Sequence, residues 1–437
     1  MFRSRLRLVL FSLLFALMVS PAFSQEKLTL NLEKSLDTAY KNNRGRLAQK
    51  EKILTSQFKI SEARAGFYPR LSLQGSYTYL GVVPSFVFSM PGLGTRTIPM
   101  GFQDNYNFKL VLQQPIFTWG RLRNAYSISK RNLELEEESY RKDKQRITVD
   151  VTSSFYSVLL GRELISVREE SLKNIEEHLR AVELRYKAGE ASEFDLLRAK
   201  VQLANAKPTV LEAKQTYDMA LRAFKLVLGL TQETEVELEG ELSFKPMETD
   251  VETATQEVLS RRPELRSLAI QENITRSGLS IAKAGNKPAL VGLINYAYEN
   301  PFYGVQRWDT DWNFTIALNL PLFDGFTTKS QVSQAQSGLR QLELGRKDLT
   351  EAIKLEVRDA VNSLDLATER ILSQEENIKQ SKEGLRIAKI QYLQGMITSL
   401  EEMDAELALT YARISYLQAL ADHLIAQAKY KKALGAE

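Results

Sequence analysis

The second half of this chain repeats the first. From Phe108 to Gly229 the sequence recurs, without a gap, 206 residues later and ends at Gly435. Upstream of Phe108 the match continues at a longer offset, with about 13 extra residues in the first copy. A duplication of this length predicts one supersecondary unit that is used twice. We therefore expect a first repeat at 25–230, a linker at 231–250 and a second repeat at 251–437.

Residues 1–24 have the pattern of an export signal peptide. A basic start and an apolar run too short to span a bilayer precede a small-x-small cleavage signal at Ala22-Phe23-Ser24. We expect cleavage after Ser24. Because the chain contains no cysteine, we expect no lipid anchor and no disulfide framework.

Nothing in the sequence predicts an enzyme, a cofactor or a metal site. Phosphate loops, metal-ligand clusters and nucleophile motifs are missing. The only histidines, His178 and His423, are most simply solvated side chains or residues of a helix seam. Removing the three signal-peptide arginines lowers the formal net charge from +4 to +1, which does not favour a nucleic-acid partner.

Each copy contains two runs in which apolar and polar residues alternate. The first copy places Leu71, Leu73, Tyr77 and Tyr79 on one face, and the second places Trp312, Phe314, Ile316 and Leu318 there. Runs of about ten residues with aromatics towards one end are typical of transmembrane β-strands. We expect strands at about 70–80, 105–116, 289–299 and 311–322. An ordinary hairpin packed on a soluble core is the alternative.

Four strands cannot close a barrel, and an open sheet edge is not stable in hydrocarbon. The sheet must therefore be shared between copies of the chain. Two copies would supply eight strands and three would supply twelve, with a wetter interior. The polar alternate row favours the trimer, although strand counting alone also allows a dimer.

Long helices follow each pair of strands. Apolar residues recur every seven positions in both copies: Val151, Val158, Ile165, Leu172, Leu179 and Tyr186, and then Val357, Leu364, Ile371, Ile378, Leu385 and Tyr392. This heptad repeat predicts antiparallel coiled-coil helices of about 100 Å. Gly189 and Gly395 predict the turns, and capping boxes at 192–195 and 398–401 begin the returning helices. Shorter helices are expected at about 32–66 and 253–285.

This order of helix, strands, long helix, tip and helix resembles the TolC-type outer membrane efflux protein family over residues 28 to 435. The local marks are Asn31-Leu-Glu-Lys-Ser-Leu-Asp-Thr-Ala-Tyr40-Lys-Asn-Asn43, Arg262-Pro-Glu-Leu265 and the Tyr-x-x-Gly tips. The resemblance implies a mainly α fold with a membrane β-barrel, built as a homotrimer with twelve strands and a helical periplasmic tube. It also implies a duct in the outer membrane of a Gram-negative-type bacterium, a periplasmic adaptor and an inner-membrane pump of the RND, ABC or MFS type.

The resemblance also implies a periplasmic gate. By position, an acidic ring corresponds to Glu401 and Asp404, a gating tyrosine to Tyr392, and its bonding partner to Asp195. Core packing explains Tyr392 equally well, and capping explains Asp195 and Glu401. Asp404 has no capping role. Family members carry a basic residue where this chain has Ile397, so a salt-bridged lock at that position is not expected.

The tips are the expected adaptor contacts, at Gly189, Ala191, Ser192, Gly395, Ile397 and Thr398. The sequence thus predicts a passive exit duct for efflux or type I secretion. A trimeric coiled-coil adhesin without an open bore and a soluble periplasmic scaffold are the alternatives. The cargo and the role of the segment from Gly81 to Phe102 are not predicted.

Overall fold

A computed structural model describes residues 28–90, 92, 94–247 and 258–435. The expected signal peptide at 1–24, with its cleavage site, lies outside the described residues. The end of the expected linker, 248–250, and the start of the second repeat, 251–257, also lie outside them. No helix in the described part of the chain has both the length and the apolar composition needed to cross a bilayer.

The elements follow the same order in both copies. The first copy contains β1 Leu28–Leu30, α1 Leu32–Asn42, α2 Arg44–Ala65, β2 Arg70–Tyr79, β3 Ser85–Met90, β4 Gly94–Pro99, β5 Asp104–Phe117, α3 Arg121–Lys187 and α4 Glu193–Leu228. After it come β6 Val236–Leu238, α5 Pro263–Lys283, β7 Ala289–Asn300, β8 Asp309–Asn319, α6 Thr327–Leu393 and α7 Ser399–Ala433.

The chain divides into two compact units. One is built from the described parts of Met1–Arg44, Lys144–Thr249 and Asp359–Lys432, and contains the far ends of the long helices with their turns. The other is built from Gly45–Asp143, Asp250–Arg358 and Ala433–Glu437, and contains the sheet of β2, β5, β7 and β8.

The sheet is antiparallel with strand order β2-β5-β7-β8, and one of its faces is apolar from edge to edge. The register puts apolar side chains directly beside one another because both copies alternate in phase. Two rows cross all four strands: Leu73, Leu110, Tyr296 and Trp312, and Leu71, Leu112, Ile294 and Phe314. Most of these side chains are exposed in the single chain.

The opposite face of the sheet is polar. Asn107 donates a hydrogen bond of 2.8 Å to Glu299, and Asn295 donates one of 2.9 Å to Asn313. These cross-strand bonds link polar residues that alternate with the apolar rows. The two faces therefore suit different surroundings, one apolar and one wet.

The insertion in the first copy, between Gly81 and Phe102, forms a second small sheet. Strands β3 and β4 pair antiparallel from Ser85↔Pro99 to Met90↔Gly94. The extra residues thus make a hairpin between β2 and β5 that the second copy does not need, since Pro301 to Trp308 suffice there to join β7 to β8.

The heptad positions pack as a seam, but the seam drifts in α3. In α6 Val357, Leu364 and Ile371 are buried on the expected slot. In α3 Val151 and Val158 are buried, whereas further along the buried slot is the other one, with Gly161, Ile175 and Val182. Helix α6 has the same length and keeps its slot buried or partly buried as far as Leu385, so the change of slot is a feature of α3 alone.

The expected linker after α4 contains an extended segment. Strand β6 pairs in parallel with β1, and Leu30 and Leu238 pack with Phe155 and Phe224 in one buried cluster. Arg162 of α3 donates hydrogen bonds to the carbonyls of Leu238 and Gly240. The linker is therefore packed against α3 and α4.

The helices expected at 32–66 and 253–285 are each interrupted at an equivalent residue. Asn43 has φ −61° and ψ 119°, and Arg262 has φ −64° and ψ 121°, so both are extended. Pro263 explains the second break because the residue before proline disfavours helical dihedrals. A tertiary contact stabilises the first break, because the side-chain amide of Asn43 donates a 2.9 Å hydrogen bond to the backbone carbonyl of Val227.

Each copy ends at a glycine with left-handed backbone dihedrals, and this glycine packs beside the helix break of the same copy. Gly229, with φ 76°, lies so close to α1 that an added Cβ would overlap the Asn42 carbonyl. At Gly435, with φ 71°, an added Cβ would lie 3.4 Å from the Cβ of Arg261, which is an ordinary contact.

We expect Gly229→Ala to lower the free energy of unfolding by about 3 kcal/mol, since it combines left-handed strain with overlap of backbone atoms. Gly435→Ala is the matched control and should lower it by only about 1.5 kcal/mol. Urea unfolding followed by circular dichroism in one detergent compares the two. Equal losses would contradict the close approach at Gly229.

Candidate functional site

The candidate site is built on the two helix turns of the first unit. After α3, Gly189 takes φ 77°, and the amide of Glu190 donates a 2.8 Å hydrogen bond to the carbonyl of Arg185. A second bond of 3.0 Å joins the Gly189 amide to the Tyr186 carbonyl. This pair of bonds ends a helix with a left-handed residue, which explains the glycine.

The turn after α6 repeats the same bonds. Gly395 has φ 71° and donates to the Tyr392 carbonyl at 3.0 Å, while Met396 donates to Gln391 at 2.8 Å. An added Cβ would meet no atom within 4 Å at Gly189 or at Gly395. Their backbone dihedrals, rather than crowding, therefore require glycine at both tips.

Two of the proposed gate carboxylates cap the returning helices. In α4 the Asp195 carboxylate accepts from the Ser192 amide at 3.2 Å and from its hydroxyl at 2.6 Å. In α7 the Glu401 carboxylate accepts from the Thr398 amide at 2.7 Å and from its hydroxyl at 2.9 Å. Within the described chain Asp195 bonds to its own cap, and its role as a bonding partner in the gate stays a prediction.

The cap also governs the charge of Glu401. The Thr398 amide, and then its hydroxyl, stabilise the ionised carboxylate and lower the pKa of Glu401 below the ordinary value. A lowered pKa means that the cap is intact at neutral pH and is lost only when the pH falls through that lowered value. Glu401 is therefore a permanent negative charge at the second tip.

Asp404 lies one turn after Glu401 on α7 and is exposed. Residues three apart on a helix share a face, so the two carboxylates lie side by side. The first-copy counterpart is Arg198, whose guanidinium lies 5.9 Å from the centre of the Phe194 ring. The acidic pair is thus specific to the second copy.

Tyr392 is half-buried between two side chains of α3. Its ring centre is 5.6 Å from that of His178 and 4.5 Å from the Arg185 guanidinium carbon. The cation–π contact and the ring contact hold the tyrosine against α3. These contacts give Tyr392 a packing role, and gating by it remains a prediction.

The structure adds a polar cluster that the sequence did not suggest. Asn174 donates a 2.6 Å hydrogen bond to Glu406, and Lys389 lies 3.6 Å from the other oxygen of that carboxylate. His178 lies 3.3 Å from Glu402 through Nδ1. These residues line a cavity of about 240 Å³. Their i, i+4 spacing on α3 and on α7 was the only signal in the sequence.

Of the two alternatives for the histidines, solvated side chains or residues of a helix seam, the structure supports the seam. The side chain of His178 is 8% exposed. His423 is fully buried, with its ring 5.0 Å from that of Phe244 and Nε2 3.2 Å from the Lys245 carbonyl. The seam alternative is therefore correct for both, because the linker and the neighbouring helices cover them.

The expected adaptor contacts lie at the two tips. Gly189, Ser192, Gly395 and Thr398 are exposed, and Ala191 and Ile397 are partly exposed. Among the described residues no group of three or more histidine or acidic side chains is arranged to hold a metal ion.

Comparison with known proteins identifies the family. The sequence matches the outer membrane efflux protein family over residues 28–230 and 254–436. It is 22% identical to the outer membrane protein TolC of Escherichia coli over 86% of this chain and 76% of that protein. It is 24% identical to the alkaline protease secretion protein AprF of Pseudomonas aeruginosa over 75% of this chain and 69% of that protein.

Solved structures share the fold. The open state of the MtrE outer membrane channel of Neisseria gonorrhoeae superposes with a TM-score of 0.77 at 18% identity, over 93% of this chain and 89% of that one. This likeness confirms the fold class predicted from the sequence, and the family match confirms the predicted resemblance. The chain belongs to the outer membrane efflux protein family, whose members serve as exit ducts in the outer membrane.

Proposed function

We propose that three copies of this chain form a passive duct through which an inner-membrane pump and a periplasmic adaptor deliver their cargo across the outer membrane. The observation that carries the proposal is the four-stranded sheet with one apolar face and two unpaired edges. The duct performs no chemistry. The energy for export comes from the pump, which is of the RND, ABC or MFS type.

The sheet edges support the sharing of strands between copies. Within the described chain β2 and β8 each have a strand on one side only, so a row of amides and carbonyls on each is unpaired. In hydrocarbon every such group must be paired, which open edges do not allow. Pairing β8 of one copy with β2 of the next satisfies both edges, and three copies give twelve strands around a wet interior.

The helices support the same assembly independently of the sheet. On α4 Phe194, Leu197 and Val201 form an apolar stripe at spacings of three and four, and Leu197 is 54% exposed. Its counterpart in the second copy, Met403, is only 4% exposed because α3 covers that face of α7. By the duplication, α6 of a neighbouring copy is the helix that covers the stripe on α4.

Leu197→Glu should therefore weaken the trimer, with about tenfold less assembled protein, since a charge replaces a side chain buried at the interface. Lys207→Glu puts the same charge on an exposed position of α4 outside the stripe and should leave assembly unchanged. Native mass spectrometry of the detergent-solubilised proteins gives the ratio of trimer to monomer. A fully trimeric Leu197→Glu variant would contradict the interface.

We infer that the second tip forms the narrow neck of the duct, with Asp404 and Glu401 as its acidic ring and with Tyr392 and Asp195 as gate residues. Asp404 is the strongest of the four, because neither capping nor packing explains it. A ring of carboxylates in a narrow pore attracts cations and repels anions. The alternative, an adhesin without a bore, would conduct no ions.

In planar bilayers Asp404→Ala should lower the preference for cations over anions by about twofold to fivefold, because three charges leave the neck. Asp422→Ala removes a carboxylate about 27 Å further along α7 and serves as the control. Reversal potentials in a salt gradient measure the preference. If both variants match the unmodified protein, Asp404 does not line the neck.

The tips are also the proposed contact with the adaptor. Gly189, Ala191 and Ser192 at one turn and Gly395, Ile397 and Thr398 at the other are accessible and are held rigidly by the repeated turn bonds. Both small molecules and polypeptides are suitable cargo classes, since AprF is named for the secretion of a protease. Export of the chain itself would use the signal peptide 1–24 with cleavage after Ser24. Attachment of a lipid at a cysteine is not expected, because the chain has none.

A photocrosslinker at Ala191 or at Ile397 should yield a covalent product with a co-expressed adaptor, since both positions flank the exposed turns. The same crosslinker at Asp422, which is exposed but remote from the tips, should yield none. Immunoblots for the adaptor detect the products. Product from Asp422 alone would place the contact away from the tips.

A further inference from the structure

The polar cluster behind the second tip turn joins three helices. It consists of Asn174 and His178 on α3, Lys389 on α6, and Glu402 and Glu406 on α7. Glu406 is 6% exposed, and the side chains of His178 and Glu402 are 8% and 14% exposed. The histidine and the two glutamates therefore have little contact with solvent, and the electrostatic interactions between them are weakly screened.

The imidazole of His178 bridges two residues of α7. Its Nε2 lies 2.8 Å from the hydroxyl of Ser399, and its Nδ1 lies 3.3 Å from the Glu402 carboxylate. A neutral ring has one N–H, so it can donate at only one of these two nitrogens. A protonated ring donates at both nitrogens and adds a full positive charge beside the carboxylate.

The charges around the ring favour that added positive charge. Helix α7 contributes Glu402 and Glu406, and α6 contributes Lys389 and the hydroxyl-bearing ring of Tyr392. On α3 itself the neighbours are Glu177, which lines the same cavity, and Arg185, which lies over Tyr392. Lys173 lies 4.0 Å from Glu177, so three carboxylates and three cations surround the ring. The group that the imidazole itself contacts is Glu402, and this carboxylate favours a proton on the histidine.

The cluster is not a property of the repeated unit. In the other copy the positions of Asn174 and His178 are Gln380 and Gly384, and those of Glu402 and Glu406 are Leu196 and Lys200. Coiled-coil packing alone therefore does not require these residues. They fasten the second tip hairpin to α3, and α4 has no equivalent fastening.

We propose that His178 and Glu402 form an acid-tightened latch on the gate, which rests on the proposed function of the second tip. Opening the neck requires α7 to separate from α3, and this separation breaks the contacts of His178 with Glu402 and Ser399. Protonation strengthens the contact with Glu402, so the latch holds at acidic pH and loosens as the pH rises. Histidine is the side chain that ordinarily changes charge between about pH 5 and 8.

Single-channel recording at about pH 5.5 and about pH 8 tests the latch. The unmodified protein should be open about fivefold less often at the lower pH, because a charged hydrogen bond is added to the closed state. His178→Gln keeps a polar side chain but does not titrate, and it should be open equally often at both values. His423→Gln removes the other histidine of the chain and should keep the fivefold response.

The outcomes separate the latch from the duct. A protein that conducts at neither pH contradicts the duct itself. Conductance without any pH response, or a response that His178→Gln retains, overturns the latch and leaves the duct intact. A response that His423→Gln abolishes also overturns it. If His178→Gln does not assemble, Glu402→Gln removes the same ion pair and should likewise equalise the two pH values.

Discussion

The hydrogen bonding of the backbone at the two sheet edges is the constraint on which the rest of this protein depends. The single chain leaves most of the apolar face of its four strands exposed, and in the described residues it leaves β2 and β8 with a strand on one side only. Neither deficit can be corrected by adjusting side chains, because backbone amides and carbonyls are present at every residue. Only another sheet edge with the same spacing satisfies them. In the proposed trimer, association would complete the secondary structure of the chain as well as its packing.

The duplication repeats the backbone geometry in both copies, whereas the side chains around it differ. The two tips have the same left-handed glycine, the same pair of backbone bonds and the same type of cap. Their surroundings differ residue by residue: Lys200 in one copy stands where Glu406 lies in the other, and Leu197 stands where Met403 is buried. A repeated backbone thus gives two kinds of surface, one for contact within the chain and one for contact between chains.

The features that the sequence predicted correctly are those determined by interactions between residues close together in the chain. The capping residue Ser192, the glycine at 395 and the alternation through Phe314 each act on backbone within a few residues, so one sequence suffices to recognise them. The heptad slot predicted for α3 was correct only for its first half, whereas the same slot in the equally long α6 is buried or partly buried as far as Leu385. The break at Asn43 and the partners of His178 depend on distant segments, and local pattern does not reveal them. Pro263 did signal the break in the second copy.

The local contacts of the acidic residues also bear on which of them would act in the proposed neck. A carboxylate that caps a helix has its oxygens engaged by backbone amides, and part of its charge is offset by the positive end of the helix. Glu401 and Asp195 are of this kind, so their effect on a passing ion is reduced. Asp404 lies beyond the first turn and is exposed. The side chains of Glu402 and Glu406 lie between the helices. Glu402 contacts His178, and Glu406 contacts Asn174 and Lys389. The first two turns of α7 thus carry three kinds of carboxylate: Glu401 caps the helix, Asp404 faces the solvent, and the buried Glu402 and Glu406 fasten the hairpin to α3.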